Sequence, residues 1–160
     1  SMDQIMFWTM GSLNGKGWGQ IITVLPYSLL GIALLLTTCR ELDIMLTGEE
    51  TAIQLGVNVE SLKKRVLFAS TVITAAVISV TGIIGFVGLV VPHVVRMITG
   101  PKHRVLMPLS LLFGGTFVII CDTAARSMAV WEIPVGIITS LCGGPFFIYL
   151  LRRMKRGGGL

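Results

Sequence analysis

Four long stretches of this chain carry almost no charge, and they decide which solvent it can fold in. Residues 17–39, 105–121 and 133–151 contain no Asp, Glu, Lys or Arg, and His93 is the only ionisable side chain in residues 66–95. A helix of about 20 apolar residues spans the hydrocarbon core of a bilayer. Because charged residues make up only 13% of the chain, too little polar surface remains to cover a soluble globule. The sequence therefore predicts an all-α integral membrane protein.

Basic residues on both sides of the 30-residue stretch indicate that it crosses the membrane twice. Lysine and arginine collect on the cytoplasmic side of a membrane protein. They flank this stretch as residues 63–65 before it and as Arg96, Lys102 and Arg104 after it. Two short spans, joined by a turn near residues 82–88, would return the chain to the side on which it started.

The resulting topology has five transmembrane helices in a single domain over residues 1–160. It places the N-terminus outside and the C-terminus inside, with 11 of the 13 basic residues inside and only Lys16 and Arg126 outside. Between the first two spans lies a cytoplasmic loop, residues 40–65. The predicted spans cover approximately residues 19–39, 66–81, 84–98, 105–125 and 133–151.

The cytoplasmic loop has the sequence signals of two short helices. Thr47, followed three residues later by Glu50, predicts a capping box at the start of the first helix. Gly56 can end that helix because glycine readily adopts positive φ, and Asn58 can cap a second one that leads into the next span. Two interpretations are open: a plain surface loop, or a docking element that seats in the groove of a cytoplasmic partner.

Asp122 and Arg126 form the other notable pair of charges, at the outer end of the fourth span. Their four-residue spacing places both side chains on one face of a helix, where they can pair. An ion pair that lowers the cost of two charges near the membrane interface explains them structurally. A role in docking or gating is the alternative, because ionisable residues at this depth are often functional.

Glycines recur every three residues at Gly82, Gly85 and Gly88. A phosphate-binding loop would need a preceding strand and a following Lys-Ser/Thr, and neither is present. Close helix packing and a tight turn explain the glycines better, and Pro92 predicts a kink in the short span that follows. His93 stands alone in that span, so no metal site is predicted.

Five motifs in this order resemble a known family. The segments TGEETAIQLGVNV, GFVGLVVPHVVR, HRVLMPLS, DTAAR and EIPVGIITSLCGGPFFIYLLRR closely resemble the permease subunits of ABC importers for iron-siderophores, haem and cobalamin, the FecCD type. The resemblance covers nearly all of residues 5–156. Permeases of this family are about twice as long and have ten spans, so the resemblance implies the C-terminal half of that fold.

The resemblance also implies roles for individual residues. Residues 47–59 correspond to the helices that couple the permease to its ATPase, and the matching positions are Thr47, Gly48, Glu49, Glu50 and Gly56. Arg126 matches an arginine that pairs with an acidic residue of the substrate-binding protein. A guanidinium on an exposed rim is suited to that contact.

The function implied by the resemblance is transport without catalysis by this chain. It would be a permease component of a metal-chelate importer in the prokaryotic inner membrane, binding no cofactor itself, with ATP and Mg held by a partner. The implied partners are a cytoplasmic ABC ATPase, a periplasmic or lipid-anchored substrate-binding protein, a second permease copy forming a homodimer and a separate N-terminal half, all within a lipid bilayer. Nucleic acid is not an expected partner, because no aromatic residues interleave the basic clusters.

Two other classes of function compete with the importer. A non-transporting helical scaffold that recruits a cytoplasmic protein would use the same docking helices, and ATP-dependent uptake would distinguish the importer from it. Half of an ion-coupled secondary carrier would need ionisable residues deep in the bilayer. Asp122 and His93 are the only candidates, and both are predicted near span ends. Dependence of uptake on a proton gradient would identify the carrier.

Overall fold

The structure is a computed structural model that describes residues 2–128 and 133–157. Its described part contains seven α-helices and no strand. The helices are α1 (Met2–Met10), α2 (Trp18–Met45), α3 (Glu49–Gln54), α4 (Val59–Thr81), α5 (Val87–Thr99), α6 (His103–Ser127) and α7 (Val135–Gly157).

Four of these helices are long and apolar enough to cross a membrane: α2, α4, α6 and α7. The 30-residue stretch is broken as predicted, because α4 ends at Thr81 and α5 begins at Val87. The third predicted span is therefore a 13-residue apolar helix, which is shorter than the usual length of a span. In the four long helices, at most 22% of the most apolar window is buried. Most of their apolar surface is thus available to lipid or to other helices.

Helix α1 was not predicted from the sequence. It is nine residues long and has one acidic residue, Asp3, in its first turn. A helix of this length makes too few turns to produce a recognisable hydrophobic period. It precedes a short linker that leads into α2.

The chain forms two compact units, which are described separately. The first comprises the described residues of segments 1–14, 81–95 and 110–160, and the second comprises residues 15–80 and 96–109. In the second unit, α2 and α4 approach closely at Gly31. A Cβ atom built on Gly31 would overlap the side chain of Ile73 and lie 3.1 Å from the carbonyl oxygen of Ala69. Small residues at such a crossing allow membrane helices to pack with their backbones close together.

In the first unit, three segments meet in what we call the glycine junction: Gly11, Gly82 and Gly136. Backbone hydrogen bonds join these segments, from Ser12 N to Thr81 O at 2.8 Å, from Ile83 N to Trp8 O at 3.1 Å and from Gly136 N to Gly11 O at 3.4 Å. Gly11 and Gly82 adopt positive φ angles of 68° and 72°. A side chain on any of the three would overlap a neighbouring carbonyl oxygen, so the backbones can meet only because these residues are glycine.

The other two glycines of the predicted cluster are packed more loosely. A Cβ atom on Gly85 would lie 4.0 Å from Ser140 Oγ, whereas one on Gly88 would meet no described atom within 4 Å outside the backbone of its own helix. The predicted close packing therefore applies to Gly82 but not to Gly88. Pro92 lies inside α5, as predicted.

Candidate functional site

The segment between α2 and α4, residues 46–58, contains α3, and we call it the α3 segment. The capping box predicted at its start is wrong. The N-cap residue of α3 is Gly48, with a φ of 111°, and no side chain caps the helix. The Thr47 hydroxyl instead donates to Ile44 O at 2.7 Å, because the last turn of α2 continues to this point through the bond from Thr47 N to Ile44 O. Glu50 is therefore left without its predicted capping partner.

The other end of α3 is closed as the sequence predicts. Gly56 has a φ of 86°, and its N–H donates to Ile53 O while Val57 N–H donates to Ala52 O, both at 3.0 Å. This pair of bonds is a Schellman motif, which satisfies the last carbonyl groups of a helix. Asn58 Oδ1 then accepts a bond from Ser61 N at 3.0 Å, which caps the next helix.

The second predicted short helix is not separate. The residues after Asn58 are the first turns of α4, which starts at Val59 and runs without a break to Thr81. The described chain therefore has one short helix in this region where the sequence predicted two. Consequently, the α3 segment is joined directly to a membrane-length helix at each end.

A small hydrophobic core holds the α3 segment in place. Its buried members are Ala52, Val57, Val59 and Leu62, and partly buried side chains from the end of α2 and from α4 pack around them. Ala52 and Leu62 are almost completely inaccessible to solvent. Because Ala52 is the buried residue of α3 itself, this core fixes the short helix against the two long ones.

Charges cover the outer face of the α3 segment. Lys63 Nζ lies 3.0 Å from both carboxylate oxygens of Glu49 and so links α3 to α4. The Glu50 side chain is exposed, and no hydrogen bond or ion pair among the described residues involves it. A groove of about 590 Å³ runs beside them, with Glu49, Glu60 and Lys63 among its lining residues. The segment thus presents a rigid, mostly acidic surface next to an open groove.

Four charged or titratable residues tie the end of α2 to α4 and α6, and we call them the clasp: Glu41, Asp43, Arg65 and His103. Arg65 forms an ion pair with Glu41. Asp43 Oδ1 accepts a bond from His103 N at 2.6 Å and lies 3.1 Å from His103 Nδ1. Sequence reasoning missed the clasp. The sequence did contain a signal: Glu41 and Asp43 follow the first apolar stretch, Arg65 precedes the second, and His103 precedes the third.

Asp122 and Arg126 pair within α6, as their spacing predicts. Arg126 Nε lies 2.8 Å from Asp122 Oδ2, and the Arg126 side chain is 55% exposed. The pair belongs to the first compact unit, whereas the α3 segment belongs to the second.

Removing the Asp122–Arg126 pair should have little effect on stability. An exposed pair with four-residue spacing on a helix contributes about 0.3–0.5 kcal/mol. Asp122→Asn should therefore change the free energy of unfolding in mild detergent by less than about 0.5 kcal/mol, and Arg126→Gln by a similar amount. Thermal unfolding of both variants checks this. A much larger loss for either one would mean that its side chain makes a second, stronger interaction.

The described residues do not form a metal site. No group of three or more His, Cys, Asp or Glu side chains is placed to hold an ion in residues 2–128 and 133–157. The cysteines Cys39, Cys121 and Cys142 are all free thiols. His93 packs edge-on against the ring of Phe146, with ring centroids 5.9 Å apart.

Comparison with known proteins gives consistent matches. The profile of the FecCD transport family matches residues 1–153. The cobalamin import system permease protein BtuC of Halobacterium salinarum is 52% identical over 147 residues, which are 92% of this chain and 40% of that protein. The hemin transport system permease protein HmuU of Yersinia pestis is 41% identical over 157 residues, covering 95% of this chain and 46% of that protein.

A solved structure shares the fold. It is a metal-chelate type ABC transporter in an inward-facing conformation, 35% identical to this chain, with a TM-score of 0.88. The match covers 95% of this chain and 49% of that one. The chain thus spans about half the length of the relatives that it matches.

Proposed function

The chain belongs to the FecCD transport family, and from this premise we propose that it is a membrane-spanning permease component of an ATP-binding-cassette importer. The importer would carry a metal chelate such as a ferric siderophore, haem or cobalamin, in line with what its relatives are named for. A separate ATPase subunit would bind and hydrolyse ATP with Mg. This chain would convert the motion of that subunit into a change in the transport pathway.

The way the α3 segment is built is the observation that carries the proposal. A short helix can transmit force only if it cannot slide or unwind on its supports, and isolated short helices are marginal in water. Here the helix has a buried core beneath it, a Schellman motif at its end and a bridge from Glu49 to Lys63. Its acidic outer face remains exposed for a partner.

The proposed topology places the α3 segment in the cytoplasm, with the N-terminus outside and the C-terminus inside. The basic ends of α4, α5 and α7 support this orientation under the positive-inside rule. In this arrangement α5 is the third and shortest of five crossings of the membrane. The protein would be a multi-pass component of the prokaryotic inner membrane.

On the opposite side, Arg126 would contact a substrate-binding protein. Its guanidinium is half exposed at the end of α6, and the pair with Asp122 uses only Nε of its five N–H donors. The remaining donors can form a bidentate contact with a carboxylate of the partner. Asp122 would hold the guanidinium in the required orientation.

Relatives of this family are about twice as long as this chain, which matches about half of each. An N-terminal half like that of the relatives would complete the permease. A second permease copy would complete the importer as a dimer. The exposed apolar faces of the four long helices provide surface for both and for lipid.

Binding to a cognate ABC ATPase in mild detergent tests the proposal. Glu50→Lys reverses a charge without breaking any described contact, and Glu49→Lys/Glu50→Lys reverses both acidic residues of the first turn. Because charge pairs across an interface contribute a few kcal/mol, the double variant should bind at least about tenfold more weakly than the wild type. Co-purification and titration of the labelled ATPase measure the affinity.

A charge swap is the matched control. Glu49→Lys/Lys63→Glu restores the internal ion pair but keeps the reversed charge at the surface, so it should bind as weakly as Glu49→Lys alone. If the double variant at positions 49 and 50 binds as well as the wild type, the α3 segment is not the contact. If the wild type does not bind even when an N-terminal half is supplied, the importer proposal is wrong.

A further inference from the structure

Helix α6 begins without an N-cap of its own. The residue before it is Lys102, whose carbonyl oxygen accepts the first bonds of the helix, from Val105 N and Leu106 N. A lysine side chain has no acceptor atom, so it cannot satisfy the free N–H groups of the first turn. Asp43 provides the missing acceptor from the end of α2, where its Oδ1 receives the His103 N–H at 2.6 Å.

The surroundings make this contact stronger than a surface pair. The side chains of Asp43 and His103 are only 21% and 17% exposed. A carboxylate at a helix N-terminus is favoured by the helix dipole, and its hydrogen bonds are charge-assisted. One turn earlier on α2, the buried thiol of Cys39 lies 3.8 Å from His103 O and 3.4 Å from Met107 Sδ. Helices α2 and α6 therefore also contact each other one turn away from the bond between Asp43 and His103.

The same turn of α2 is also attached to α4. Glu41 pairs with Arg65, whose Nε is buried and has no described hydrogen-bond partner. The end of α2 is thus fixed to α4 on one side and to α6 on the other, immediately before the chain enters the α3 segment. A force applied to the α3 segment cannot be absorbed by bending the end of α2 alone.

We propose that Asp43 is a positioning residue for coupling, because it ties the α2 end of the α3 segment to α6. The inference rests on the proposed function, in which the α3 segment receives the force. The clasp would make α6 follow α2 when the ATPase moves the α3 segment. Without Asp43, the α3 segment could move with α2 and α4 while α6 lags behind.

Cys39 provides a native reporter of the tie. It is 4% exposed and lies one turn before Asp43 on α2. In a Cys121→Ala/Cys142→Ala background it is the only thiol of the chain. We expect Asp43→Ala to raise the rate of maleimide labelling of Cys39 at pH 7 by about tenfold or more. The variant loses the charge-assisted bonds to His103, so α2 and α6 should separate more often and expose the thiol. Asp43→Asn keeps an acceptor for the backbone N–H and should label more slowly than Asp43→Ala. Arg40→Gln, at an exposed neighbouring position, should label at the wild-type rate.

A second variant separates positioning from simple helix capping. Asp43→Ala/Lys102→Asp gives α6 an N-cap within its own chain segment but leaves α2 and α6 untied. If Asp43→Ala alone fails to fold, the labelling of Cys39 can still be measured in this capped variant. The proposal expects fast labelling of Cys39 in this variant as well. Labelling at the wild-type rate, in this variant or in Asp43→Ala, would overturn it.

The functional readout is the number of substrate molecules transported per ATP hydrolysed in the assembled importer. We expect Asp43→Ala/Lys102→Asp to lower this ratio about fivefold or more while the affinity for the ATPase stays within about twofold of the wild type. An unchanged ratio would overturn the coupling role. If the wild type shows no ATP-driven uptake, the proposed function fails, and the failure is visible without any Asp43 variant.

Discussion

Replacing Gly136 with alanine should lower the free energy of unfolding by about 3 kcal/mol, the upper end of the usual cost of overpacking. A Cβ atom there would overlap the carbonyl oxygen of Met10, lie 2.9 Å from its carbonyl carbon and 3.3 Å from Ile83 O. All three atoms belong to the backbone, so no side chain can rotate away to make room. Thermal unfolding in mild detergent, followed by tryptophan fluorescence, measures the loss.

The matched control for this variant is on the same helix. A Cβ atom on Gly144 would meet no described atom within 4 Å outside the backbone of α7. Because alanine favours a helix over glycine, Gly144→Ala should leave stability unchanged or raise it by up to about 1 kcal/mol. Equal midpoints for Gly136→Ala and Gly144→Ala would show that the three segments do not meet at the glycine junction.

Truncating Leu62 to alanine should release the α3 segment from the rest of the chain. Leu62 is 1% exposed and is the largest of the four buried side chains beneath α3. A buried Leu→Ala change costs about 2–5 kcal/mol, and here the loss falls on a core that consists of only a few residues. We expect amide hydrogens of residues 49–54 to exchange about a hundredfold faster or more. Hydrogen exchange with mass spectrometry tests this.

Leu55→Ala is the control for this second prediction. Leu55 is 64% exposed at the end of α3, so its truncation removes little buried area. Exchange in α3 should stay within a few-fold of the wild type. If Leu55→Ala and Leu62→Ala accelerate exchange equally, the segment is held by its helix ends and not by the core.

Much of the fold could be predicted because a bilayer imposes a simple requirement on each segment. Uncharged stretches of sufficient length become helices, and the basic residues around residues 66–95 indicate the break between α4 and α5. The local signals at Gly56 and Asn58 were also sufficient, since each acts on residues within three or four positions. Helix α1 escaped prediction because it is too short to show a period.

The rest of the candidate site depends on contacts that local patterns do not specify. Thr47 and Glu50 match a capping box, but the Thr47 hydroxyl donates its hydrogen bond to Ile44 O in the last turn of α2 instead. Asp43 and His103 are 60 residues apart, and the charges next to the apolar stretches do not specify which of them pair. The same holds for Gly11 and Gly136, which meet through their backbones and leave no side-chain signal.

The glycine junction has a consequence for the order in which the protein is made. Roughly 125 residues separate Gly11 from Gly136, and all of them must be synthesised before the junction can close. At 5–20 residues per second this takes about 6–25 s. During that time Gly11 O lacks the Gly136 N–H, while Trp8 O can already accept the bond from Ile83 N. The junction is therefore completed late in synthesis, only after the start of α7 has been made.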